Sequence, residues 1–388
     1  MGRSLQQFAG LVLGCAATAL ATTVLAAPAL AEGYREVPKD AIYKTDEQRY
    51  GHLRYMGFYA SAMQHWNHTR ELASFTNLTW IDTANQEKII ARVREAGEVG
   101  VGVILSVQAM AFDSEYRLRP DYLHRIASLQ QALLAEDLMD HITLVYPVDE
   151  PYSHAAKGRQ TSRREMRRAL EQLNGELETL FPGKPLGVIF SHGEVLRDDF
   201  SIPASYDWIG FDCYHSLYDC DGRPQTDHYR KLLKRMTPGQ SLMAVPQTWM
   251  RNDDFERESW ETDKLYEARK ARMVEQLRKR LQHHYEIALS EPRFIAFIPF
   301  LWSMSPAKPE QNYPGFGVDE FPAKFPEGGA EFLAQVQSIG RQITSGNHQY
   351  PNLSRRQTES DILRPKNDLQ ARILEVSGSG VISAWGYN

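Results

Sequence analysis

The 388-residue sequence contains 44 Lys and Arg against 49 Asp and Glu, which gives a formal net charge of −5. Hydrophobic residues make up 42% of the chain, enough for a sizeable buried core. The mildly acidic balance offers no basic stripe for a phosphate backbone, so we expect no nucleic-acid partner.

The first 31 residues have the pattern of a secretory signal peptide. Arg3 precedes an apolar, Ala-rich run over residues 8–27, and Ala29–Ala31 is a small-x-small cleavage site. We therefore expect export to the periplasm or the extracellular space, with a mature, monomeric chain from about Glu32. A lipid anchor at Cys15 is the alternative, because residues 12–15 resemble a lipobox. No later stretch is long and apolar enough to span a membrane.

Residues 32–345 alternate between short apolar segments and amphipathic helical patterns, which is typical of a parallel α/β domain. The predicted strands are Tyr55–Ala60, Leu78–Asp82, Gly102–Gln108, Ile142–Asp149, Leu186–Phe190, Trp208–Tyr214, Ser241–Gln247 and Phe294–Trp302. The strongest helical patterns are Asn85–Glu98, Pro120–Glu136, Ser162–Leu180, Tyr266–Ser290 and Glu331–Thr344. Eight such strand–helix units with right-handed crossovers favour a closed (β/α)8 barrel.

Two features favour an open doubly wound sheet instead. Pro147, Pro246 and Pro299 fall inside predicted strands, and proline cannot donate to a strand ladder. The stretch Ser191–Tyr206, after the fifth strand, shows only a poor helical pattern. All three prolines lie toward the carboxyl ends of their strands, where a barrel rim can tolerate them.

The composition changes beyond Gly346. Residues 346–388 are polar and interrupted by proline, which predicts an irregular C-terminal extension. Within it, Ala371–Val376 and Val381–Trp385 flank the sequence SGSG, a pattern that predicts a small terminal hairpin.

The most informative stretch is Ile142–Pro151, in which a buried apolar strand leads directly into Asp149-Glu150-Pro151. Carboxyl ends of parallel strands are where α/β folds bind substrate. Two carboxyls held half-buried at such a place are suited to acid/base chemistry. The structural alternative is that Asp149 caps the next segment and Glu150 is simply solvated.

The other predicted strand ends carry side chains of similar character. Carboxylates and amides can bind sugar hydroxyls, and aromatic faces can cover the apolar side of a pyranose ring. The pattern therefore predicts a carbohydrate substrate, with Asp212 as a further catalytic candidate. The substrate-binding candidates are Tyr59, Trp66, Asp82, Gln108, His192, Tyr214, Gln247, Trp249 and Trp302.

Other chemistries lack their sequence signatures. The chain has no HExxH or comparable ligand spacing for a metal. It also has no GxSxG, P-loop or strand-linked GxGxxG, the signals for acyl transfer, phosphates and dinucleotides. We expect neither a metal nor a cofactor.

Three of these strand ends resemble those of TIM-barrel glycoside hydrolases: Asp-Glu-Pro after the fourth strand, Gly-Phe-Asp-x-Tyr in the sixth and Phe-Leu-Trp-Ser in the eighth. In the large retaining clan of that superfamily, an Asn-Glu-Pro motif supplies the acid/base, and this implies that role for Glu150. The clan's nucleophile is a Glu at the end of strand seven. Gln247 stands there in this chain, and an amide cannot form the glycosyl ester.

The resemblance leaves three mechanisms open. In β-N-acetylhexosaminidases an adjacent Asp-Glu pair uses the substrate's acetamido group as nucleophile, which implies Glu150 as acid and Asp149 as its orienting partner. Tyr214 and Trp302 are then candidate walls of the acetamido pocket. Inversion would use Glu150 as acid and Asp212 or Asp82 as base. A non-catalytic, carbohydrate-binding barrel is the main rival, and a carbohydrate-active lyase or deacetylase is a weaker one.

Removal of the leader leaves Cys213 and Cys220 of the three cysteines, and we predict that they form a disulfide in the exported protein. Their Cα atoms should then lie about 4.4–6.8 Å apart. Thiol labelling of the native, unreduced protein should detect no free thiol. Labelling of both cysteines would show two independent thiols instead.

Overall fold

The computed structural model describes residues 52–156, 162–214, 219–220, 223–252, 254, 256–303 and 315–348, with the backbone alone at 154–156, 219–220 and 223–224. The predicted signal peptide, the lipobox at Cys15 and the C-terminal hairpin lie outside these residues and remain predictions. The side chain of Cys220 is outside them as well, so the bridge from Cys213 also remains a prediction.

The structure is a (β/α)8 barrel of parallel strands, as the sequence pattern predicts. The strands, in chain order, are β1 (Tyr55–Met56), β2 (Ala62–Met63), β3 (Leu78–Asp82), β4 (Gly102–Ser106), β5 (Ile142–Tyr146), β6 (Gly187–Ser191), β7 (Trp208–Asp212), β8 (Asp219–Cys220), β9 (Arg223–Pro224), β10 (Ser241–Val245), β11 (Met250–Arg251), β12 (Phe294–Phe297) and β13 (Gly315–Phe316). The short pairs β8–β9 and β11–β13 are antiparallel ribbons outside the barrel wall.

The barrel wall consists of two parallel sheets, ordered β2-β3-β4-β5 and β6-β7-β10-β12-β1. At one seam, a parallel bridge joins Val145 of β5 to Leu186, beside β6. At the other, a single chain segment pairs with both sheets, because β1 lies against β12 and β2 lies against β3.

Helices cover the outside of this wall. They are α1 (Thr69–Leu72), α2 (Gln86–Glu98), α3 (Gln108–Ala111), α4 (Tyr122–Ala135), α5 (Pro151–Ala156), α6 (Arg163–Leu180), α7 (His192–Val195), α8 (Gln225–Arg235), α9 (Asp263–Ser290), α10 (Phe321–Lys324) and α11 (Gly329–Ser345). Helix α6 buries the apolar stripe that its sequence periodicity predicts. Ser162 and Glu165 form a capping box at its start, and the predicted apolar stripe from Met166 to Leu177 is buried.

The prolines mark where the strands end. Strand β5 stops at Tyr146, directly before Pro147, and β10 stops at Val245, directly before Pro246. Strand β12 stops at Phe297, two residues before Pro299. The predicted strands were therefore too long at their carboxyl ends, because a residue without an N–H cannot extend the ladder. The stretch Ser191–Tyr206 holds only the short helix α7.

The barrel has two apolar cores. The inner core lies inside the wall and takes side chains from all around it, with Leu78, Trp80, Ile104, Leu144, Tyr146, Ile189, Trp208, Met243, Val245, Ala296 and Ile298 in one buried cluster. The outer core lies between wall and helices and is larger. Two of the inner cluster's three large aromatics, Trp80 and Tyr146, fill the barrel just below its carboxyl-end mouth.

No helix in the described part of the chain is long and apolar enough to cross a membrane.

Gly57 allows the first segment to close the barrel, and we predict that Gly57→Ala destabilises the fold. A Cβ atom there would lie 2.8 Å from both the Cβ and the carbonyl oxygen of Leu78 in β3. The neighbouring backbone would have to shift, and we expect the free energy of unfolding to fall by about 1–3 kcal/mol. Urea denaturation of the purified protein measures the change.

Gly175 in α6 is the matched control, because nothing lies within 4 Å of the Cβ that alanine would add. Gly175→Ala should raise the free energy of unfolding by about 0.5–1 kcal/mol through helix propensity. Equal effects of the two substitutions would contradict the close approach at Gly57.

Candidate active site

The turn after β5 brings two adjacent carboxyls to the same mouth. In a regular strand, Asp149 and Glu150 would point to opposite faces. The strand has already ended at Tyr146, however, and Glu150 has a φ of 38°, in the left-handed region that non-glycine residues rarely adopt. The Glu150 N–H donates to the Ile189 carbonyl at 3.0 Å, and the Glu150 carbonyl accepts from the Ser153 N–H at 3.0 Å. These two bonds hold the strained residue in place.

Asp149 is surrounded by polar groups that fix its carboxyl. The Tyr146 hydroxyl donates to Asp149 Oδ1 at 2.8 Å while accepting from the Ile189 N–H at 3.0 Å. Tyr59 also donates to the Asp149 carboxyl. The Asp149 N–H in turn donates to Gln108 Oε1 at 2.7 Å, so the predicted ligand Gln108 supports the turn.

Burial, followed by the charge of Glu150, raises the pKa of Asp149 to about 7, and the tyrosine bonds offset only part of this shift.

Asp212, at the end of β7, joins the pair directly. Its side chain hydrogen-bonds both the Glu150 carboxyl and Tyr214. Burial, then the charges of Glu150 and Asp149, raises the pKa of Asp212 well above its ordinary value. The raised pKa favours the protonated form of Asp212, which can donate the hydrogen bond to Glu150. A proton shared between two carboxyls belongs to the pair rather than to either residue.

Asp82 completes the group of acids from the end of β3. It pairs in register with Ser106 of β4 and is hydrogen-bonded by the Ser106 side chain. Burial raises its pKa to about 6. Its charge also raises the pKa values of Asp149 and Tyr59, which places all four acids in one electrostatic cluster. Within the described residues, none of the four makes an ion pair with Lys, Arg or His.

Three aromatic rings in tilted and edge-to-face contact form the floor beneath the acids. The Tyr59 and Trp80 rings lie 4.3 Å apart between centroids, and Trp80 and Tyr146 lie 4.3 Å apart. Trp80 and Tyr146 were not among the predicted site residues. Strand alternation could have found Trp80, because it lies two residues before Asp82 and shares its face.

A second aromatic group forms one wall. Phe300 lies 5.3 Å from Tyr59, 5.0 Å from Tyr214 and 5.6 Å from Trp249, between ring centroids. Tyr214 and Phe300 are nearly parallel, at 22°. Tyr214 and Trp249, both predicted ligands, thus pack against Phe300, which the sequence analysis missed. The Trp249 Nε1 atom is buried and has no hydrogen-bond partner in the described part of the chain.

Trp302 does not belong to this wall, and the prediction that it lines the mouth is corrected. Its ring lies 5.3 Å from Phe58 and 5.6 Å from Phe75, in the outer core, and only 3% of the residue is exposed. Side-chain alternation continues as far as Phe300, since Ala296, Ile298 and Phe300 all contact the inner core. It is lost beyond Phe300, so Phe300 and Trp302 do not share a face.

Gln247 is held within the protein. Its Nε2 donates to the Trp249 carbonyl at 2.9 Å, and its Oε1 accepts from the guanidinium of Arg280, on α9. Both Gln247 and Arg280 are buried. The Gln247 amide therefore orients the turn after β10, which carries Trp249. The structure does not bring Gln247 into the acid cluster.

The other two predicted ligands have neighbours of their own. Trp66 donates its Nε1 to the Ala60 carbonyl at 2.9 Å, which folds the loop after the first strand back on itself. The His192 ring lies 6.3 Å from that of His228, which stacks on Phe211 in the outer core. Cys213 is buried next to Asp212 in sequence.

No group of three or more His, Cys, Asp or Glu side chains in the described ranges is arranged to hold a metal ion.

Comparisons with known proteins bear on the fold and not on the function. No protein-family model matches the sequence, and no curated protein matches it. Among solved structures, xylanase XynB from Paenibacillus barcinonensis is similar at 13% identity and a TM-score of 0.45, over 76% of this chain and 98% of that one. GH5_18 from Streptomyces cattleya in complex with GlcNAc is similar at 12% identity and a TM-score of 0.47, over 77% and 82%.

The catalytic core of a xylanase A is similar at 11% identity and a TM-score of 0.48, over 74% of this chain and 98% of that one.

The raised pKa values predict that the protein loses stability as the pH rises. The pKa of Asp149 is raised from 3.8 to about 7 and that of Asp82 from 3.8 to about 6. The folded state thus keeps protons that the unfolded state releases, and the free energy of unfolding falls from about pH 4 to pH 7. Asp149→Asn, which stays neutral, should make the fall between pH 5 and pH 8 shallower in urea denaturation.

Asp121→Asn is the control for this effect. Asp121 is exposed, and its hydrogen bond to Arg125 lowers its pKa, so it titrates below pH 5 in both states. Between pH 5 and pH 8, the free energy of unfolding of Asp121→Asn should change with pH in parallel with that of the wild type. An Asp149→Asn profile equally parallel to the wild type would rule out the raised pKa.

Proposed function

We propose that the chain is an exported glycoside hydrolase in which Glu150 is the proton donor. The observation that carries the proposal is the left-handed backbone at Glu150, which places Asp149 and Glu150 at one mouth. A non-glycine residue in this conformation costs about 1–3 kcal/mol, and such strain is retained where surrounding structure enforces it, often at active sites. The aromatic floor and wall offer apolar faces to a sugar ring.

The geometry favours substrate-assisted cleavage over inversion through Asp212. An inverting pair needs carboxyls about 6.5–9.5 Å apart, with room for a water between them. Asp212 hydrogen-bonds Glu150 directly, which leaves no such room. Gln247, bonded to Arg280, also provides no carboxylate to act as nucleophile. In the substrate-assisted scheme the nucleophile belongs to the substrate, an acetamido group at C2, and inversion with Asp82 as base is the remaining alternative.

In this mechanism each acid has a separate role. Glu150 protonates the glycosidic oxygen as the bond to C1 breaks, and the acetamido oxygen of the substrate bonds to C1. Asp149, held by Tyr59 and Tyr146, accepts the acetamido N–H and stabilises the positive charge of the cyclic intermediate. Water then attacks C1, and the Glu150 carboxylate takes its proton. This transfer restores the acid form of Glu150, and the hydrogen bond from Asp212 orients the Glu150 carboxyl for both steps.

The test uses two substitutions at the turn. On an N-acetylhexosaminide with a sugar leaving group, Glu150→Gln and Asp149→Asn should each slow hydrolysis by at least about a hundredfold. The matched control is Asp140→Asn, an exposed acid before the amino end of the same strand, which should keep the wild-type rate. Product release is measured by chromatography of the reducing sugars.

The rival mechanisms give different results in the same assay. A wild-type rate in Glu150→Gln would refute the proton-donor role in both mechanisms. Hydrolysis of sugars without an acetamido group would instead point to a nucleophile from the protein. If neither the wild type nor Glu150→Gln cleaves any glycan of a broad panel but both bind one, the chain is a carbohydrate-binding barrel.

A further inference from the structure

Trp260 is the most exposed large hydrophobic residue of the described chain, with 70% of its surface in contact with solvent. It lies in the loop between β11 and α9. This loop follows the turn after β10, which carries Trp249. In a (β/α)8 barrel such strand-to-helix loops stand at the carboxyl-end face, where the candidate active site is. Tryptophan is buried in most proteins, so an indole left in water at this face requires an explanation.

The backbone around Trp260 directs its side chain outward. Residues 258–261 form a β-turn in which the Glu261 N–H donates to the Glu258 carbonyl at 2.9 Å. The Glu258 N–H donates back to Glu261 Oε2 at 3.1 Å, which closes the turn from its other side. Trp260 occupies the third position of this turn, at its tip.

A buried ion pair fixes the turn to helix α9. Arg269 binds the Glu261 carboxylate with two parallel bonds, from Nε at 2.7 Å and from Nη2 at 2.9 Å. The Glu261 side chain is only 2% exposed. The same guanidinium donates to the carbonyls of Asp254, at 2.7 Å, and Glu256, at 3.0 Å. Bidentate pairs of this kind are among the strongest side-chain contacts and impose a fixed geometry.

A second arginine braces the loop from the other side. Arg257 donates from Nη2 to the Glu261 carbonyl at 2.8 Å and pairs with Asp263, in the first turn of α9, at 2.7 Å. Thr262 caps the helix by accepting from the Leu265 N–H. Residues 256–263 are thus held by polar contacts to one another and to α9, while the Trp260 side chain remains largely exposed.

We propose that Trp260 is a stacking platform for a pyranose ring of an extended glycan chain. The proposal rests on the glycoside hydrolase function and adds that the substrate is an oligomer longer than the sugars that contact the acid cluster. An indole held by a rigid loop binds the apolar face of a sugar without the entropy cost of ordering the loop. The platform therefore binds sugars outside the acid cluster.

The experiment measures binding in the full-length chain carrying Glu150→Gln, so that hydrolysis does not interfere. Cello-, xylo-, manno- and chitohexaose and their disaccharides are titrated by isothermal calorimetry. For the hexaose that binds, Trp260→Ala should raise the Kd by about two- to tenfold. The hexaose should then bind less far in excess of the disaccharide affinity than it does in the parent. Trp260→Phe should recover most of the affinity, because it keeps an aromatic face.

Leu265→Ala is the matched control, since Leu265 is also exposed, at 49%, and stands five residues further along. It should bind the hexaose as the parent does, and thermal unfolding of all variants should coincide. Equal hexaose affinity in Trp260→Ala and Leu265→Ala, or no binding of any hexaose by the parent, would overturn the platform. Binding that depends on Trp260 in a protein that cleaves no glycan supports the platform and refutes the hydrolase.

Discussion

The site depends on how the chain leaves strand β5. Pro147 has no N–H to offer the ladder, so the strand ends at Tyr146 and the next residues are free to adopt another conformation. Glu150 then takes a left-handed backbone, fixed by its bonds to Ile189 and Ser153. A regular strand would have directed one of the two carboxyls into the outer core. The proposed chemistry exists because this local strain is retained.

The acid cluster is electrostatically unfavourable, and its neighbours limit the cost. Four carboxyls share a mouth from which water is partly excluded, and burial raises the pKa values of Asp82, Asp149 and Asp212. The charge of Glu150 raises the pKa values of Asp149 and Asp212 further. Tyr146 and Tyr59 donate to Asp149, and Asp212 hydrogen-bonds Glu150. Because the raised pKa values favour protons in the folded state, stability falls as the pH rises toward neutrality.

Rigid positioning recurs around this cluster. Arg280, reaching from α9, binds Gln247 and so holds the turn that carries Trp249. On the same helix, Arg269 binds Glu261 and fixes the turn that carries Trp260. Both arginines act from one long helix on one strand-to-helix loop. Such support reduces the ordering cost of ligand binding, because the aromatic faces are already in place.

Local sequence patterns determined the barrel and most of the acids. Strand and helix periods are properties of neighbouring residues, and parallel strands bring their carboxyl ends together, so Asp82, Asp149, Glu150 and Asp212 were predictable as one group. The tertiary structure alone decided which aromatics face the mouth. Phe300 lies there and Trp302 does not, because the chain loses its alternation after Phe300. It also decided the partner of Gln247, since Arg280 is 33 residues away and reaches it only through the packing of α9.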